Sequence, residues 1–102
     1  MLPAHSAVPA VLSEILRKAP LTPEKVAFAW RTAVGPVVDR ASRVRLLDDG
    51  TLEVACDDPQ WAREITRSRR LILARLAPLL GDGTVARLRT RGPERPSPAG
   101  RL

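Results

Sequence analysis

The chain has 102 residues, 44% of them hydrophobic, and a formal net charge of +6 from 17 Lys and Arg against 11 Asp and Glu. That length holds one core rather than two; the single cysteine, Cys56, excludes an intramolecular disulfide, and one Cys with one His cannot build a zinc site. No apolar run approaches the roughly 18 residues a bilayer span needs and no secretory leader opens the chain, so a cytoplasmic protein is expected, its arginine excess suited to phosphate backbones, acidic lipid surfaces or an acidic protein partner.

Val8, Val11, Leu12, Ile15 and Leu16 recur at helical spacing, with Glu14, Arg17 and Lys18 opposite. They predict a short amphipathic first helix that stops before Pro20. Thr22 is placed to cap a second helix, with Pro23 at its first position and Glu24 in its first turn. Val26, Trp30, Ala33 and Val37 form its apolar stripe, and Gly35-Pro36 should bend or interrupt it before it ends near Ala41. Phe28 lies about 200° around the helix from Val26. It either packs on the first helix or is an exposed contact.

Two alternating runs flank Asp48-Asp49-Gly50. A two-residue loop at Asp49-Gly50 would pair Arg45 with Val54 and turn arginine into the core. A three-residue loop pairs Leu46 with Leu52, Val44 with Val54 and Arg45 with Glu53, which separates apolar from polar cleanly. It also puts Gly50 where a type I turn with a bulge needs a left-handed residue. The second register is therefore the expected one.

Asp58 and Pro59 should start a third helix, with Trp61, Ile65, Ile72 and Leu76 as its apolar stripe, widened by Leu73 and interrupted by Ser68. Pro78 predicts a break near Arg75 to Leu76 and a short resumed turn through Leu80. Val85 to Arg91 alternates as a third strand, with Ala86 and Leu88 facing the core. Residues 1–91 thus form the domain, and residues 92–102, rich in Pro, Gly and Arg, predict a disordered tail.

The outward face of the sheet carries the best functional signal. It should display Arg43, Arg45, Arg87, Arg89 and Arg91, opposed by Glu53 alone. Guanidinium groups on one pleated face can each neutralise a phosphate, giving salt-dependent and weakly sequence-selective binding; the plainer alternative is a solvated face with one cross-strand pair. A second basic row, Arg63, Arg67 and Arg70, runs along the third helix and, with Phe28, is a candidate partner-binding surface. Trp30 and Trp61 sit on core stripes and are assigned to the fold, so base stacking is not the expected mode.

Catalysis finds no support. His5 is far from any expected pocket, Cys56 has no histidine to activate it, and Asp48, Asp49, Asp57, Asp58 and Asp82 occupy turns and a cap. No glycine-rich loop ending in Lys-Ser/Thr is present to cradle a nucleotide. No catalytic residue, cofactor, metal or small-molecule substrate is expected.

The predicted order is α-α-β-β-α-(α)-β, an α+β fold. Without the first helix it resembles the type II KH-like arrangement, a three-stranded sheet with helices on one face. More specifically, Trp30 with Gly35, the strand entry Gly50-Thr51-Leu52-Glu53-Val54, Trp61-Ala62-Arg63-Glu64-Ile65 and the closing Val85-Ala86-Arg87-Leu88 resemble the bacterial DciA family across about residues 8–91. The resemblance implies a non-enzymatic accessory protein of DNA replication. Its partners would be the DnaB-type hexameric replicative helicase and single-stranded DNA, and its work would be to assist helicase loading without an ATPase of its own. Two features depart from the pattern: only about eleven residues follow the domain, where many relatives carry a long extension, and Gly35-Pro36-Val37-Val38 lacks the Gly-x-x-Gly clamp of RNA-binding KH domains. A KH-like RNA- or ribosome-associated binder and a protein-only adaptor are the alternative readings.

Overall fold

A computed structural model describes residues 10–92. His5, Val8 and the predicted tail from residue 93 onward lie outside the described residues. The elements follow as α1 (Ala10–Lys18), α2 (Pro23–Val34), α3 (Pro36–Arg40), β1 (Ser42–Leu46), β2 (Thr51–Cys56), α4 (Pro59–Arg67), α5 (Arg69–Leu80) and β3 (Arg87–Arg91). The described residues thus form a small α+β domain of five helices and a three-stranded sheet.

The helix starts are dictated locally. The Thr22 hydroxyl accepts the Lys25 N–H at 3.1 Å, and the Asp58 carboxylate accepts the Gln60 N–H at 2.7 Å, each just ahead of a proline that needs no acceptor. Gly35, at φ 88°, ends α2, and Pro36 restarts the chain as α3. The restart shifts the helical phase. Val37 consequently leaves the stripe that buries Val26, Trp30 and Ala33 and stands 57% exposed.

The third predicted helix breaks in a different place from the one expected. It divides at Ser68, whose N–H is shared between the carbonyls of Glu64 and Ile65, both at 3.1 Å. Pro78 lies inside α5, within its last turn. There the missing N–H removes a single ladder bond, and Gly81, at φ 104°, closes the helix three residues later. The divided helix also splits the basic row: Arg63 and Arg67 belong to α4 and Arg70 to α5.

The sheet order is β1-β2-β3, with β1 antiparallel and β3 parallel to the central β2. The hairpin register is the three-residue one, Leu46 opposite Leu52, Val44 opposite Val54 and Arg45 opposite Glu53. Gly50 takes φ 86°, and a Cβ there would come within 3.2 Å of the Ala86 Cβ. Both the turn and the incoming third strand therefore require glycine. Its carbonyl receives the Ala86 N–H at 2.7 Å. That docking pins residue 86 at the hairpin tip and leaves Ala86 exposed rather than facing the core; regular pairing begins at Arg87.

The core lies between the inner sheet face and the helices. Leu52, Val54 and Cys56 meet Val26, Ala29, Trp30, Ile65, Ile72, Leu76 and Leu79. The Trp30 Nε1–H donates to the Ser42 hydroxyl at 3.0 Å, and that hydroxyl donates to the Val38 carbonyl at 2.6 Å. The indole's polar edge is thereby satisfied inside the core. Burial pushes the Cys56 thiol above its ordinary range, with Asp57 adding to the effect.

The first helix departs from its sequence pattern. No residue of α1 is buried; Leu16 packs against the core, while Val11 and Ile15 are 68% and 61% exposed. A buried lysine anchors the helix. Lys25 Nζ donates to the carbonyls of Ala19 at 2.7 Å and Arg17 at 3.3 Å, meeting the negative end of the helix dipole.

Candidate nucleic-acid interface

Alternation on three strands brings the five expected arginines to one surface. Leu52, Val54 and Cys56 point inward, so Thr51, Glu53 and Ala55 line the middle of the other face. Register then sets Arg43 and Arg91 on either side of Ala55, and Arg45 and Arg89 on either side of Glu53. Arg87 lies beside Thr51. All five arginines are exposed. The two edge strands act as cationic rails around a lower central lane, with a shallow trough of about 280 Å³ lined by Arg43, Arg45, Glu53, Ala55 and Arg91 among others.

Glu53 is not the only acid on this face. Its Oε1 accepts from Arg45 at 3.1 Å and its Oε2 from Arg89 at 2.7 Å. Asp57 Oδ1 accepts from Arg43 at 3.1 Å, and Asp49 Oδ2 lies 3.7 Å from Arg87, whose Nη1 also donates to the Thr51 hydroxyl at 3.0 Å. Three carboxylates therefore stand among the guanidinium groups, which corrects the expectation that Glu53 opposes them alone. The Arg89 hydrogen bond, followed by that of Arg45, holds the Glu53 carboxyl below its ordinary range. Asp49 is lowered chiefly by its hydrogen bonds with Thr51 and less by the Arg87 charge.

The parity of the strand carried a signal for Asp57, which follows Glu53 and Ala55 at steps of two. Asp49 gave none, because its turn position already accounted for it: Oδ1 caps the Thr51 N–H at 3.0 Å while Oδ2 is left for Arg87. Thr51, only 2% exposed on an otherwise open face, is covered by Arg87.

The remaining candidate residues lie elsewhere. Phe28 is 47% exposed on α2, which agrees with the exposed-contact alternative for it. Arg63 and Arg70 are exposed, and Arg67, also exposed, pairs with Glu64 at 3.4 Å. Trp30 is fully enclosed, at 1% exposure. Trp61 packs against the core from its margin. It also lines a groove of about 510 Å³ with Val34, Val38, Leu71, Ile72, Asp58, Glu64 and Arg75, so its indole is half-buried rather than enclosed. Arg75 braces one wall by donating to the Ala33 carbonyl at 3.2 Å.

A family model described as "Dna[CI] antecedent, DciA" matches residues 3–90. The chain belongs to the DciA family. Similar DciA relatives include the UPF0232 proteins of Corynebacterium glutamicum and Mycolicibacterium smegmatis, each 32% identical over 68 residues, and that of Rhodococcus jostii, 35% identical over 68 residues. The matched segment covers 67% of this chain but only 38%, 35% and 36% of those relatives. The chain thus aligns with little more than a third of each DciA relative. No helix of the described residues is long and apolar enough to cross a membrane.

Proposed function

We propose that this protein is a cytoplasmic, non-enzymatic accessory factor of DNA replication that binds single-stranded DNA and a DnaB-type replicative helicase and assists its loading. The functional unit is the KH-like domain of residues 1–91. The single observation that carries the DNA half of this reading is the gathering of Arg43, Arg45, Arg87, Arg89 and Arg91 on one open sheet face. A strand's same-face side chains repeat about every 6.6 Å, a spacing at which successive guanidinium groups can follow successive phosphates of an extended chain. No aromatic residue lies among these positions, so the grip is electrostatic rather than by stacking.

Family membership supports the helicase half, and the exposed Phe28, Arg63, Arg67 and Arg70 are the proposed protein contacts. Labelled single-stranded DNA titrated at several salt concentrations tests the first half, with steep weakening as salt rises expected. Pull-down with the cognate helicase ring at low salt tests the second, and an absence of enrichment there would count against it. Preference for structured RNA with indifference to the ring would favour the RNA-binding alternative; no affinity for either nucleic acid would leave a protein-only adaptor.

A further inference from the structure

Glu53 differs from the other two carboxylates of the arginine face. Asp49 and Asp57 stand at the ends of β2 with side chains 66% and 53% exposed, and each meets one guanidinium. Glu53 is at the centre, its side chain only 16% exposed, and its two oxygens are divided between arginines of opposite edge strands. Arg45 and Arg89 project from strands separated by the full width of β2, about 9.6 Å from axis to axis. Both nevertheless converge on the one carboxylate.

We propose that Glu53 is the specificity-determining residue of this face: it occupies the Arg45–Arg89 pair so that linked phosphates are taken and single phosphates are refused. The inference rests on the reading of the face as a phosphate-binding surface. A tethered carboxylate competes at high effective concentration, which a free mononucleotide or inorganic phosphate ion in dilute solution does not match. A polynucleotide meets it on equal terms. Once one phosphate is held by Arg43, Arg87 or Arg91, the next arrives intramolecularly. The Arg45 and Arg89 guanidinium groups can then swing from Glu53 to the chain, since both are largely exposed, at 73% and 60%.

The test compares the full chain with Glu53→Gln and with Asp57→Asn, which removes the same unit of charge from the rim. Fluorescence anisotropy of a labelled oligothymidylate gives affinity at three salt concentrations, and thymidine monophosphate or inorganic phosphate at matched ionic strength serves as competitor. Melting curves establish that each variant is folded. Glu53→Gln should bind the oligomer about threefold to tenfold more tightly at low salt, with the gain shrinking as salt rises, and single phosphates should now compete. The parent and Asp57→Asn should resist that competition, with Asp57→Asn gaining less affinity. Binding of the oligomer by Glu53→Gln but not by the parent would overturn it, since Glu53 would then exclude linked and single phosphates alike. Unchanged or weaker binding by a folded Glu53→Gln would overturn it, since Glu53 would then hold the arginines in place rather than compete for them. Equal competition in all three proteins would also overturn it. If none binds the oligomer even at low salt, the phosphate-binding reading itself fails.

Discussion

The two faces of the same three strands are held together by opposite physics. On the inner face Leu52 and Val54 are fully buried under Trp30, and the only polar contact of the indole is closed internally by Ser42. The outer face has no comparable apolar cover. Its order comes from ion pairs in which the arginines are 60% or more exposed to water. Exposed pairs contribute little to folding. The inner face thus sets the fold, and the outer face is free to serve a ligand. Substitutions should therefore sort sharply by the parity of the strand position.

The largest effect belongs to the inner side. Trp30→Ala should destabilise the domain by about 3–5 kcal/mol, measured by urea denaturation, and any loss of binding in it would follow from unfolding. Gly50→Ala comes next. The positive φ and the 3.2 Å approach to Ala86 should together cost about 1–2 kcal/mol or more; an unperturbed melting temperature would show that the hairpin tip does not fix the third strand. Lys25→Met should cost about 1–2 kcal/mol by leaving the Arg17 and Ala19 carbonyls at the end of α1 without their donor. Faster hydrogen exchange confined to residues 10–19 would report it, while uniform exchange would mean that α1 is held by Leu16 alone.

The smallest effect is on the outer side and appears only in acid. Glu53 and Asp49 have folded values below their ordinary 4.5 and 3.8. Their contribution is fully present above those ordinary values and is lost as pH falls from there through the lowered, folded ones. Neutral-pH stability should therefore be flat with respect to these groups, with a shallow decline beginning only below about pH 4.5. Glu53→Gln should flatten that decline in acid titrations followed by circular dichroism.

Where one physical rule dominated, the sequence was readable. Period two and the cost of a one-residue slip settled the hairpin register and placed five arginines on one side. Asp58-Pro59 and Thr22-Pro23 marked helix starts because each motif satisfies its own first turn. Where two rules competed, the weaker signal was hidden. Pro78 outshone Ser68 as a helix breaker, although a proline near a C-terminus disrupts less than one in mid-helix. Lys25 carries no local signal of its role in the sequence. Its capping role depends on where α1 ends relative to α2, a tertiary relation that no local pattern encodes. The same holds for the Thr66–Thr90 hydroxyl contact at 2.7 Å, which ties α4 to β3. Trp61 falls on the core stripe, and the stripe does not reveal that the groove beside it stays open.

That the outer sheet face holds nucleic acid through its guanidinium groups is the proposal on which the function rests. It is tested most directly by the slope of log affinity against log salt for single-stranded DNA, compared between the parent and Arg87→Gln/Arg89→Gln. Loss of two phosphate contacts should reduce the slope by about 1.4 and weaken binding, with the melting temperature nearly unchanged. An unaltered slope in a folded double variant would contradict the account and move any DNA contact off this face.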